Sequence, residues 1–145
     1  GVRLLLRIRP APVGSFINNQ IAALCVTNCA DTDEEAHEFA GPEGVWFVKM
    51  AEKLYAPWQG RHVPASYKFA VSAVQQERTG KTFADHMQSG AFAMGNPASV
   101  IKVLAKYREA GVDQILCFMQ MGNLAHTRIM HSIDLFGRHV IPAFT

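Results

Sequence analysis

Apolar positions along the chain fall into a few blocks, and their spacing sets the expected elements. Ile21 to Cys29 is a nearly continuous apolar run of the kind found in a parallel strand buried on both faces. It runs directly into Ala30-Asp31-Thr32-Asp33-Glu34-Glu35-Ala36. Thr32 with Glu35 three residues later is a capping-box pattern, and acids in a first helical turn complement the helix dipole. The helical pattern breaks near Gly41-Pro42 and resumes over Val45 to Tyr55, with Trp46, Phe47, Met50 and Leu54 on one face. Pro57 closes it. Residues 59–64 read as loop and Tyr67 to Val74 as helix.

The next stretch, Gln75 to Met94, has no clear period. It holds Arg78, Thr79, Gly80, Lys81, Asp85, His86, Ser89 and Gly90. A long polar segment inside a compact domain points to a functional loop, and it reads as a mobile lid. Order returns at Gly95-Asn96-Pro97, where Asn96 is placed as an N-cap and Pro97 as the first helical residue. Val100, Ile101, Val103, Leu104 and Tyr107 continue with helical spacing to Gly111, the expected C′ glycine. Ile115 to Met121 is a second buried strand, ended by Gly122-Asn123. Ala125 to Phe136 is a last amphipathic helix, punctuated by Gly137 and Pro142. Strands alternating with helices imply an α/β fold with parallel pairing and right-handed crossovers. The two strands are expected side by side, and both call for further strand neighbours.

Composition narrows the function classes. The chain has 145 residues, 49% of them apolar and 18% charged, with a net charge of +2. That suits one domain. Basic residues are scattered among acids, so no nucleic-acid-binding stripe is present. No apolar run approaches a membrane span. The first residue is Gly, and the irregular segment 1–14 has neither the apolar length nor the cleavage site of a signal peptide. The opening therefore reads as an internal start. Three cysteines form no disulfide framework, and Cys25 and Cys29 lack the second cluster that a zinc site needs. Reduced thiols in a cytoplasmic protein are expected, with no metal.

Three motifs, in matching order and spacing, resemble the bacterial luciferase-like monooxygenase family. Ala30 to Ala36 is similar to its strand-to-helix "A-[DE]-T-x-E-E-A". Gly95-Asn96-Pro97-Ala98-Ser99-Val100, followed by Ala110-Gly111-Val112-Asp113, resembles "G-T-P-E-x-V" and "A-G-V-D". Ser132-Ile133-Asp134-Leu135-Phe136-Gly137-Arg138-His139-Val140-Ile141-Pro142 resembles the terminal "S-x-x-L-F-G-x-x-V-I-P". Asn96 and Ala98 stand where the family has Thr and Glu. The resemblance spans about Pro12 to Phe144. It implies the C-terminal portion of a (β/α)8 TIM barrel, with Ile21–Cys29 as strand seven and Ile115–Met121 as strand eight, and not a complete barrel.

The resemblance also implies an activity: oxidation of an organic substrate by molecular oxygen with reduced flavin (FMN). The alternatives are a deazaflavin-dependent oxidoreductase, or a non-catalytic domain that self-associates or binds a partner. Chemistry in such barrels sits at the C-terminal ends of the strands. Asn28 to Asp31 and Gln120 to Asn123 lie there, and Gln120 and Asn123 are candidates to hydrogen-bond the cofactor, against a plain turn-stabilising role. Arg78 and Lys81 in the lid are candidates for a phosphate or anionic group, against solvated loop charges. His86 is a candidate acid–base residue. The Gly95-Asn96 helix start is a further anion candidate. The isolated chain is expected to be inactive, and to form a homo-oligomer or to associate with the missing barrel portion.

Overall fold

A computed structural model describes residues 14–15, 20–55, 62–65, 67–68 and 80–145. The elements in chain order are β1 (Ala22–Cys29), α1 (Asp33–Tyr55), α2 (Phe83–Ser89), β2 (Phe92–Gly95), α3 (Pro97–Glu109), β3 (Gln114–Phe118) and α4 (His126–Leu135). The chain then tightens into a π turn at Phe136–Val140 and a 3-10 turn at Ile141–Ala143. Among the described residues no helix is long and apolar enough to cross a membrane.

The three strands form an open parallel sheet in the order β2-β1-β3. The expected parallel pairing of the first and last strands holds, with Leu24 opposite Leu116 and Val26 opposite Phe118. The strand that the sequence reading missed is β2. It pairs with the upper half of β1, Val26 opposite Phe92 and Cys29 opposite Gly95. Its first three residues lie inside the segment read as a mobile loop, yet all four are buried. Phe92 and Met94 are almost fully buried, and burying a side chain of that size contributes roughly 1.5–3 kcal/mol. Just before it, α2 is closed by a full capping box. The Thr82 hydroxyl accepts from the Asp85 amide at 3.3 Å, and the Asp85 carboxylate accepts from the Thr82 amide at 2.7 Å. Residues 69–79 of the supposed helix and loop lie outside the described residues.

Helix α1 passes through Gly41-Pro42 without a break, as one helix of 23 residues. Packing overrides local propensity here. Gly41 lies against the Phe83 ring, and Gly44 lies under Phe92 and Met94 with no room for a side chain. The two glycines let the helix come close to the sheet, and that burial outweighs the one hydrogen bond lost at Pro42.

Helices cover both faces. On one face Val26, Phe92 and Met94 pack with Ala36, Ala40 and Val48 of α1. On the other, Cys25, Cys29 and Ala93 pack with Val100 and Leu104 of α3 and with Val140. Leu135 and Phe136 at the end of α4 join this second face. The strand order explains the split. The β1-to-β2 connection moves one way along the sheet and the β2-to-β3 connection moves back past β1. Two right-handed crossovers in opposite directions put their helices on opposite faces. A barrel keeps all its helices on the outer face, and this sheet is open. β3 is also less buried than a strand covered on both faces, with Leu116 half exposed.

Candidate functional site

The C-terminal edge of the sheet gathers three helix starts. β1 ends at Cys29, and the chain enters α1 through Thr32, whose hydroxyl accepts from the Glu35 amide at 3.1 Å. The first residue of α1, Asp33, reaches across to α3. Its carboxylate accepts from the Asn96 amide at 2.7 Å and from the Ser99 hydroxyl at 2.9 Å. Asn96 caps α3 as expected, its side chain accepting from the Ser99 amide at 3.1 Å. The second half of α4 is tied to β1, because the Cys29 amide donates to the Ser132 hydroxyl at 2.8 Å.

Between β1 and α4 lies a crevice of about 290 Å³, lined by Asn28, Cys29 and Ala30 of the strand end, Glu35 and Phe39 of α1, and Leu124, Thr127, Arg128 and His131 around α4. β1 and β3 are neighbours whose following helices leave to opposite faces. That is a topological switch point, where open α/β sheets bind their ligands. The Arg128 guanidinium pairs with Glu35 at 2.8 Å and lies 3.2 Å over the Phe39 ring. His131 meets Asp31 at 2.9 Å. Cys29 is no nucleophile, because burial, with Asp31 adding to it, pushes its thiol up to about 11 and keeps it protonated near neutral pH.

The residues singled out from the sequence divide between two places. His86 and Lys81 come together in a separate cavity of about 450 Å³, lined also by Leu24, Ala91, Phe92 and Tyr107. That cavity sits at the start of β2, the end of the sheet opposite to the one where such folds do chemistry. His86 is 3% exposed and stacks on Phe92 with ring centres 4.7 Å apart. Nearby, the Tyr107 hydroxyl donates to the Gly90 carbonyl at 2.7 Å, and burial raises its phenol well above the ordinary value. Gln120 and Asn123 do lie at the C-terminal edge, both exposed, on the connection from β3 to α4. The Asn123 amide donates to Glu43 at 2.8 Å, so its backbone serves the turn. Arg78 lies outside the described residues.

The sequence reading placed Asn28 at a strand end but missed Glu35, Phe39, Thr127, Arg128 and His131 as its companions. The signal available was weak: a basic first turn on α4 with no capping side chain before it. Among the described residues no group of three or more His, Cys, Asp or Glu is placed to hold a metal ion.

No family model matches the chain. No curated protein matches it. Among solved structures it is similar to monooxygenase RslO1 from Streptomyces bottropensis, with a TM-score of 0.60 at 13% identity. The likeness covers 90% of this chain and 33% of that one, so the chain spans about a third of the monooxygenase's length. At this identity the likeness speaks to fold alone.

Proposed function

We propose that this chain is the C-terminal part of a flavin-dependent monooxygenase of the luciferase-like kind, oxidising an organic substrate with molecular oxygen, and that the crevice at the switch point is its contribution to the active site. The supporting observation is the crevice itself, at the C-terminal edge of a parallel sheet whose fold resembles a monooxygenase over most of the chain. In this reading the open three-stranded sheet is one part of a larger α/β fold completed by the remainder of the protein. The cofactor in this reading is FMN in its reduced form, or a deazaflavin if the reaction is a hydride transfer. When bound, the flavin supplies the electrons for the oxidation. Asn28 has an amide suited to a polar ring edge, and Gln120 and Asn123 stand at the same end of the sheet. Phe39 and Leu124 exclude water from the crevice wall. A cytoplasmic setting belongs to the same proposal, since all three cysteines are free thiols.

A crevice of about 290 Å³ is at the small end of ligand pockets, roughly 300–1,000 Å³. It suits one end of a cofactor or a small substrate. The isolated chain should therefore bind flavin weakly and turn over nothing. Fluorescence titration of FMN, and separately of a deazaflavin, is the test. Saturable quenching by one of them, weakened in Asn28→Leu, is expected. A folded chain that quenches neither removes the flavin reading.

A second reading is favoured by a different observation. Leu24 and Leu116 face each other across β1 and β3, and each is 51% exposed. Among the described residues nothing pairs with the outer edge of β3. Such an edge is a template for another chain. In this reading the chain is a domain that joins a second copy or the remaining strands of its fold. Sedimentation at micromolar concentration should show association, and a clean monomer counts against it.

A further inference from the structure

We propose that the crevice between β1 and α4 is an oxyanion subsite, built to hold the carboxylate or phosphate group of a small organic ligand. The assignment rests on the crevice binding a ligand and not on oxidation chemistry.

The first observation is Asn28. It is 5% exposed and lines the crevice, and its side-chain amide makes no hydrogen bond among the described residues. No polar side-chain atom of the described residues is sealed away unsatisfied, so this amide reaches the crevice and is not locked in the core. A carboxamide held there by a central strand, with its hydrogen bonds unspent, is preorganised for a ligand.

The second observation is the start of α4. Ala125 offers no capping side chain, and the first turn holds no acid. It holds His126, Thr127 and Arg128 instead. A cationic side chain at a helix N-terminus opposes the dipole and the leading amides there lack acceptors, and a bound anion answers both. The starts of α1, α2 and α3 are each closed by a side chain, namely Thr32, Thr82 and Asn96.

The third observation concerns Arg128. Glu35 takes one of its N–H groups and Phe39 covers one flat face. A guanidinium has five N–H donors, so most of the fork is free to meet an incoming oxyanion. Glu35 and Asp31 hold Arg128 and His131 in place from the rim. An oxyanion seated here accepts from Asn28, from the first amides of α4 and from Arg128. The volume leaves room for that group and a few attached atoms.

The test is an NMR titration of the isotope-labelled chain with inorganic phosphate, with acetate and, at equal ionic strength, with chloride. The Asn28 side-chain amide and the backbone amides of His126 and Thr127 should shift together and saturate with phosphate or acetate. Phosphate alone saturating assigns a phosphate monoester, and acetate alone assigns a carboxylate. Asn28→Asp keeps the shape and should weaken binding at least about tenfold. Arg128→Gln, at a half-exposed position that leaves the core untouched, should weaken it several-fold. If Asn28→Asp does not fold, Arg128→Gln decides alone. Shifts that chloride reproduces, or unchanged binding in the folded variants, overturn the assignment. Flavin takes no part in the titration, so its outcome is independent of the monooxygenase reading.

Discussion

Asp33 is the residue through which the starts of α1 and α3 hold one another, and removing its carboxylate should show this. Asp33→Ala deletes two charge-assisted hydrogen bonds, to the Asn96 amide at 2.7 Å and the Ser99 hydroxyl at 2.9 Å. In a half-buried setting solvent screening brings each to about 1–1.5 kcal/mol, at or below the bottom of the range of about 1.5–3 kcal/mol for bonds to a charged group. The loss of an acid from the first turn of α1 adds about 0.3–1 kcal/mol. The expected destabilisation is about 3 kcal/mol. With a urea dependence of about 2 kcal/mol per molar, the unfolding midpoint falls by about 1.5 M. Asp33→Asn keeps one acceptor and should lose about half as much. A double-mutant cycle with Ser99→Ala should give a coupling of about 1 kcal/mol. A midpoint shift in Asp33→Ala below about 0.3 M, at unchanged slope, refutes the reasoning, since it would mean that the backbone of Gly95 to Pro97 holds the junction unaided.

Three further outcomes are expected. Asn96→Ala removes the cap of α3 and should cost about 0.5–2 kcal/mol in a denaturant melt. Gly122 has φ +49 and its missing side chain leaves the space filled by the Glu43 carboxylate, so Gly122→Ala should lower stability by about 1–3 kcal/mol in thermal melts. Hydrogen bonds from the Thr82 side chain and then its backbone hold the Asp85 carboxyl below the usual range. A lowered value stabilises the folded form above about pH 4, and the contribution disappears as the pH falls through that lowered value. Amide exchange in α2 should therefore be faster at about pH 3 than intrinsic rates predict from about pH 5, and Thr82→Ala should abolish the difference.

What the sequence made legible was local. A continuous apolar run marks β1, the Thr32–Glu35 spacing marks the start of α1, and Asn96-Pro97 marks the start of α3. Each signal is carried by residues within eight positions of one another. What stayed hidden depends on partners far along the chain. Gly41-Pro42 reads as a helix stop until Phe83 and the strand β2 are seen to need close approach there. β2 is four residues long, too short to show a period, and polar neighbours on both sides disguise it. Arg128 and Glu35 are 93 positions apart, and His131 and Asp31 are 100 apart. No spacing rule reaches that far. His86 drew notice because a titratable residue in an irregular segment reads as chemistry, and its ring is stacked on Phe92, a contact invisible to any local spacing rule.

The missed strand matters more than its length suggests, because its position decides where a ligand can bind. If only β1 and β3 existed, α1 would form part of the crossover between them, and no switch point would arise at their shared edge. With β2 on the far side of β1, the chain has to return over β1 before it reaches β3. That return puts α3 on the face opposite to α1 and sends α4 to the same side as α3. The starts of α1 and α4 then diverge above the gap between β1 and β3, and Asn28 stands at the floor of that gap. A four-residue strand, fixed by burial of Phe92 and Met94, thus creates an opening to which it contributes no residue. Substitutions that loosen β2 from α1, such as a side chain at Gly44, should disturb the crevice from a distance even though they touch none of its walls.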